Sequence, residues 1–183
     1  MALIREATGQ DVPALARAHV DTWRETYRGL LPESYLARLD APGREPQWQR
    51  VVERPAGQGC VFVVEDAQGE IVGFASGGQH HGTLDHAGEL YTLYLRQAWQ
   101  GQGLGRALFQ AVATRLHEQG QRSLALWVLA TNSRARDFYE ALGGRFLREQ
   151  AIVFEDVPLR EVGYGWRDIT TIGRSARATR RDR

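Results

Sequence analysis

Three alternate glycines, Gly101, Gly103 and Gly105, lie in the run Gln100-Gly101-Gln102-Gly103-Leu104-Gly105-Arg106. A turn without Cβ atoms lets the main chain approach a ligand and point several N–H groups at it. Apolar residues at Leu104, Leu108, Ala111, Val112 and Leu116 mark a helix behind the turn, so the helix's positive end faces the same place. Arg106 adds a full charge, and together these groups suit a diphosphate. A dinucleotide turn needs G-x-G-x-x-G near the start of the fold. Here position 106 is Arg and at least three strand patterns come first.

Other residues offer chemistry by type. Glu89 stands eleven residues before Gln100, and on strand alternation it shares a face with Tyr91, Leu93 and Leu95. A carboxylate on such an apolar face is desolvated, which makes it a better base. Cys60 is the single cysteine; at the start of an apolar strand it reads as a small core thiol rather than a nucleophile. His80, His81, Asp85 and His86 share one polar loop. Adjacent histidines on such a loop face solvent more often than a metal, so no metal is expected. His19 falls on an apolar helix face and reads as a core residue with one nitrogen satisfied.

All 23 basic residues are arginine. Without lysine the chain has neither a Walker A loop, nor the kinase strand lysine, nor a Schiff-base amine. Net charge is +1, with five Arg against one Asp from Ile172 to Arg183. The body is thus mildly acidic, which argues against nucleic acid as a partner; the Arg-rich end reads as a solvated, disordered tail. A nucleic-acid or ribosome-docking arm is the competing reading of that tail. No run approaches the ~18 apolar residues of a membrane span, and MALIREATGQ lacks a signal peptide's apolar core. A cytoplasmic protein without membrane attachment is expected, built as one domain over 1–171 with the tail at 172–183.

The elements that must position these groups follow from periodicity. Residues 3–7 read as a strand, and Thr8 and Asp11 have capping-box spacing. Val12, Leu15, Ala16, His19, Val20, Trp23 and Tyr27 recur at steps of three and four, which predicts a helix ended by Gly29 and Pro32. A short helix follows over 33–39. The proline-bearing stretch 41–58 predicts one helix around 47–53. Strands are predicted at 60–65 and 70–76, joined as a hairpin, with a polar loop over 77–87. A strand at 89–95 runs into the glycine turn. Beyond the turn's helix come a strand at 123–129, a helix at 132–142 and strands at 145–154 and 160–166. This order requires an α/β fold, a mixed sheet with helices on both faces.

The stretch from Leu93 to Gly105, ending Gln100-x-x-Gly103-x-Gly105, resembles the acyl-CoA signature Q/R-x-x-G-x-G/A of the GCN5-related N-acetyltransferases (GNAT superfamily). Downstream, Asn132-Ser133-Arg134-Ala135-Arg136-Asp137-Phe138-Tyr139-Glu140-Ala141-Leu142-Gly143 is similar to that family's N-x-x-A-x-x-F-Y-E-x-L-G helix. Leu3 to Trp166 is covered by the resemblance. It implies the GNAT fold, a mostly antiparallel mixed sheet of about seven strands, and acetyl-CoA as cosubstrate. By the same resemblance, main-chain groups of Leu93, Tyr94 and Leu95 hold the pantetheine arm like an added strand. The amides of Gly101, Gln102, Gly103, Leu104, Gly105 and Arg106 hold the diphosphate, and Asn132 contacts the pantetheine or simply caps its helix. Tyr139 is implied as the acid at the sulfur, or else packs in the core; Glu89 is implied as the base, with a loop histidine or water as the alternatives; and Leu93 N–H is implied as the oxyanion donor. The implied activity is acetyl transfer to a primary amine, on a small molecule or a peptide, by direct attack in a ternary complex. The alternative is a non-catalytic acyl-CoA-binding module of the same fold. Homodimers are common in the family, and the first helices wall its acceptor pocket.

Overall fold

The computed structural model describes residues 2–172. In chain order its elements are β1 (Leu3–Glu6), α1 (Val12–Tyr27), α2 (Glu33–Arg38), α3 (Ala41–Val52), β2 (Cys60–Glu65), β3 (Ile71–Gln79) and β4 (Gly88–Leu95), then α4 (Leu104–Glu118), β5 (Leu124–Leu129), α5 (Ser133–Ala141), β6 (Arg145–Phe154) and β7 (Val157–Trp166). One sheet has the order β1-β2-β3-β4-β5-β7-β6. Neighbours are antiparallel except β4 and β5, which run parallel because α4 carries the chain across the sheet between them. This is the mixed, mostly antiparallel seven-stranded architecture expected.

Alternation along β2 divides the core. Val61 and Val63 pack with Val12, Leu15 and Trp48 under α1 and α3. Cys60 and Val64 pack on the other side with Leu108 and Val112 of α4. The fully buried Phe74 and Phe109 anchor the two layers, each contributing about 2 kcal/mol by burial. At the start of α1, Thr8 N–H donates to Asp11 Oδ2 (2.7 Å), and Arg5 forks onto both Asp11 oxygens (2.7 and 2.8 Å). That pairing ties β1 to the helix.

Several expectations are corrected. Helix α3 begins at Ala41 rather than near 47. Pro42 lies in its first turn, where an N–H would be unpaired anyway, and Pro46 loses only a bond to the Pro42 carbonyl. Asp40 Oδ1 caps it by accepting from Gly43 N at 2.6 Å. Strand β3 continues to Gln79, through part of the expected loop. Its glycines are needed there, since a Cβ at Gly77 would lie 2.7 Å from Val112 and one at Gly78 2.8 Å from the Tyr91 hydroxyl.

The third correction concerns β4. Ser76 faces Thr92 but Gly77 faces Leu90, so Tyr91 is an extra residue, a β-bulge. Leu90, Leu93 and Leu95 consequently all pack toward α4, which an unbroken strand would forbid. Glu89 therefore does not share the face of Leu93 and Leu95. At the far end Ile172, which the sequence assigns to the tail, is buried in the α4 core; the rest of that tail lies outside the described residues. Among the described residues no helix is long and apolar enough to cross a membrane.

Candidate active site

Strands β4 and β5 pair only at Gly88↔Leu124 and Glu89↔Ala125, although they run on to Leu95 and Leu129. The sheet therefore forks. A cleft of about 700 Å³ opens along the fork, lined by β4, the glycine turn, the start of α5 and the end of α1. The phase of the β3–β4 ladder is fixed by Arg96 N–H donating to Val72 O at 2.9 Å. Counting back by twos, Tyr94 and Thr92 exchange main-chain bonds with Phe74 and Ser76. The N–H and C=O of Leu93 and the N–H of Leu95 are left facing the fork. Leu95 O accepts from Gln100 Nε2 at 2.8 Å, so the first residue of the glycine motif braces the strand that precedes it. Of the three residues expected to present main chain here, Tyr94 instead turns its main chain to β3.

Gly101 and Gly103 adopt φ +77° and +83°, a conformation that costs other residues about 1–2 kcal/mol. Among the described residues, the amides of residues 101–106 donate to no protein acceptor, and the first helical bond is Ala107 N–H to Gly103 O. Gly101, Gly103, Gly105, Arg106 and the N-terminus of α4 thus lie at one end of the cleft in a turn whose amides have no protein acceptor among the described residues, an arrangement suited to a diphosphate. Gly105 differs: its φ is not positive, and a Cβ there would meet the Phe138 ring at 3.4 Å, an ordinary contact, so neither backbone nor packing against α5 demands glycine.

Helix α5 supplies two side chains. Asn132 Oδ1 accepts from Ala135 N at 3.2 Å, so it does cap the helix, and it also lines the cleft. Tyr139 is buried against Phe109, Phe138 and Trp166. It too lines the cleft, and among the described residues its hydroxyl donates to no protein acceptor. Burial pushes this phenol well above its ordinary value of 10, so it stays protonated at neutral pH.

Glu89 sits at the closed end of the fork, beside the cleft rather than in its lining. His80 is the loop histidine brought to it: Nδ1 lies 2.7 Å from Glu89 Oε2. His81 is exposed, and His86 packs over Gly165 with both ring nitrogens buried and unpartnered. No group of three metal-binding side chains occurs among the described residues. Cys60 is buried, its thiol pushed up to about 12 chiefly by desolvation, which leaves no thiolate for nucleophilic work. His19 Nδ1 accepts from Trp48 Nε1 at 3.0 Å inside the core, and burial pushes it down to about 4.

Sequence reasoning missed the pairing of Tyr27 with Tyr94, whose hydroxyls meet at 2.7 Å in the cleft wall. One hydrogen of the pair is used between them, and among the described residues no protein acceptor takes the other. Residues 67 apart on an α-helix and a β-strand give no sequence signal of such a contact. The His80–Glu89 pair left a fainter trace in Gly82 and Leu84, which shape the loop around the imidazole.

Comparison with known proteins agrees with this geometry. A family model described as the acetyltransferase (GNAT) family matches residues 19–144. The uncharacterized N-acetyltransferase YuaI of Bacillus subtilis (strain 168) is 35% identical over 173 residues, 94% of this chain and 96% of that protein. The PaiA N-acetyltransferase of Thermoplasma acidophilum, solved in complex with coenzyme A, has a TM-score of 0.69 at 18% identity, covering 91% of this chain and 99% of that one. YncA of Salmonella typhimurium, solved with its cofactor acetyl-CoA, has a TM-score of 0.67 at 19% identity, covering 91% and 93%. At those identities the structural likeness is one of fold. With a family match over more than half its length, the forked sheet and the glycine turn in one chain, this protein belongs to the GNAT family of acetyltransferases.

Proposed function

We propose that the protein transfers an acetyl group from acetyl-CoA to a primary amine by direct attack in a ternary complex. The observation that carries this reading is the line of free main-chain donors, from Leu93 and Leu95 at the fork to the amides of residues 101–106. A pantetheine arm and its diphosphate need donors in that order. Acetyl-CoA supplies the activated acyl group, and the chain's own residues do the rest. Leu93 and Leu95 hold the arm as an added strand, the turn and Arg106 hold the diphosphate, and Asn132 offers its side-chain amide along the arm.

Leu93 N–H donates to the carbonyl oxygen as it gains charge. Glu89 receives the proton that the amine sheds as the N–C bond forms, through an intervening water because its carboxylate stands beside the cleft. Tyr139 gives its hydroxyl proton to the sulfur as the C–S bond breaks. Burial keeps that phenol protonated until the transfer. The acceptor enters from the side of α1 and α2, where Trp23, Tyr27, Tyr35 and Phe154 form an aromatic wall.

The test combines thermal melting with thiol release across a panel of amines. Acetyl-CoA at a hundred times its Kd stabilises the fold by about 2.7 kcal/mol, and thiol appears with at least one amine. A melting shift without turnover would make the chain a CoA-binding module, and no shift with either acetyl-CoA or CoA would overturn the reading.

A further inference from the structure

We propose that His80 is a positioning residue for Glu89, and that residues 80–87 exist as a moulded strap that holds this imidazole against the carboxylate. The inference rests on Glu89 being the base of the proposed reaction. It starts from hydrogen-bond accounting. Leu84 N–H donates to His80 Nε2 at 3.1 Å, so Nε2 carries no proton and the neutral ring must carry its hydrogen on Nδ1. That Nδ1–H donates to Glu89 Oε2 at 2.7 Å. One carboxylate oxygen is thereby fixed, and Oε1, which makes no protein hydrogen bond among the described residues, is left to take a proton.

The surroundings are built for this arrangement. The His80 side chain is 3% exposed while that of Glu89 is 20% exposed, so the imidazole is the buried, rigid partner and the carboxylate reaches solvent. His80 N–H donates to Ala87 O at 2.9 Å and closes the strap at its base. Gly82 is required beneath the ring, since a Cβ there would lie 2.8 Å from His80 Cε1. Leu84, the residue that supplies the N–H, is itself anchored: it is buried over Gly163, where a Cβ would lie 3.2 Å from it and 3.3 Å from Trp127. Trp127 lines the cleft. Leu84 and Trp127 thus both pack over Gly163, which sets the residue that fixes the tautomer of His80 beside a residue of the cleft lining. Fixing a proton acceptor within the site in this way is how a positioned group gains rate over a free one.

The experiment is a double-mutant cycle on the full-length protein, with acetyl-CoA and an amine found active in the panel. His80→Leu removes the donor, and the expected result is a kcat about tenfold lower with KM for acetyl-CoA unchanged. His80→Asn places an amide N–H where Nδ1–H stands, so it restores kcat to within about threefold of wild type although it cannot accept from Leu84 N–H. Gly82→Ala, which keeps both residues but displaces the His80 ring from Glu89, lowers kcat as His80→Leu does. In the Glu89→Gln background, His80→Leu has no further effect. A loss that His80→Asn fails to restore, or that adds in full to a slow Glu89→Gln, would overturn the positioning role and leave the base assignment intact. A Glu89→Gln enzyme as fast as wild type would overturn the base and the positioning role together. Melting curves of the four single variants and the double variant separate a kinetic loss from a loss of folded protein.

Discussion

The two halves of the cleft are built from different materials. The half proposed to hold acetyl-CoA is mostly main chain: free groups of Leu93 and Leu95, six amides of the glycine turn and one helix terminus. The half proposed to take the amine is mostly side chain: Tyr27 of α1 lines it, and Trp23, Tyr35 of α2 and Phe154 of β6 pack behind Tyr27 in one aromatic cluster. Main-chain donors bind whatever side chains flank them, provided the backbone can adopt its positive φ angles. Side-chain walls change with every substitution. A chain built this way keeps its donor and is free to vary its acceptor, which is why the first half is easily named and the second is not.

The side-chain half also carries the larger sensitivity to acid, which sets the first prediction. His19 lies in the α1 core with its ring 5.1 Å from that of Trp23. Its imidazole binds a proton near 6.5 when unfolded but only near 4 when folded, because burial penalises the charge. The unfolded chain holds the extra proton throughout that window, so stability falls as pH drops from about 6.5 and the loss levels off below about 4. Across the whole window it amounts to about 3 kcal/mol. Melting curves at pH 7 and pH 4.5 measure it, and His19→Phe should flatten the dependence. An unchanged pH dependence in that variant would remove His19 as its cause.

The second prediction tests whether Tyr139 belongs to the chemistry of the donor half or only to its packing. Tyr139→Phe keeps the ring between Phe109 and Trp166 and removes only the hydroxyl. kcat falls about a hundredfold, as expected for a lost general acid, while the melting shift with acetyl-CoA stays as it was. If kcat is unchanged, the residue packs and does not act.

How much of this was legible in sequence follows the same division. The turn at residues 101–106 was readable because positive φ requires glycine, and that requirement is written in the residue type itself. Asn132 was readable as a cap for a similar local reason. The bulge at Tyr91 was not, because a bulge is a property of how two strands pair rather than of either one, and it moved Glu89 off the face that alternation assigned to it. Helix α3 starts earlier than its prolines suggest because Pro42 lies in its first turn and Pro46, although interior, forfeits only one main-chain bond. The His80–Glu89 bond depends on a loop whose path is set by Leu84 finding Gly163 on β7, a contact with no local signature.

A third prediction presses on the main-chain half directly. Gly103→Ala adds one methyl at φ +83°, in open space with no atom within 4 Å. Sterically nothing is displaced, so the whole effect is backbone strain of about 1–2 kcal/mol where the amides must point at the ligand. KM for acetyl-CoA rises about tenfold, and kcat at saturating acetyl-CoA is unchanged. Steady-state kinetics with each substrate varied in turn measure this. A change in the amine's KM instead would mean that the turn serves the other half.

The smallest expected effect lies where the halves meet. Tyr27→Phe removes the partner of the Tyr94 hydroxyl, leaving one polar group in the cleft wall without its 2.7 Å contact. Loss of one such bond costs about 1 kcal/mol of stability, read as a lower Tm. Because Tyr27 comes from α1 and Tyr94 from the strand that the donor lies along, the kinetic consequence decides where the boundary runs. If the aromatic wall belongs to the acceptor, KM for the amine rises several-fold while that for acetyl-CoA holds. The reverse pattern would move α1 into the donor half, and the division between main-chain and side-chain halves would fail at that point.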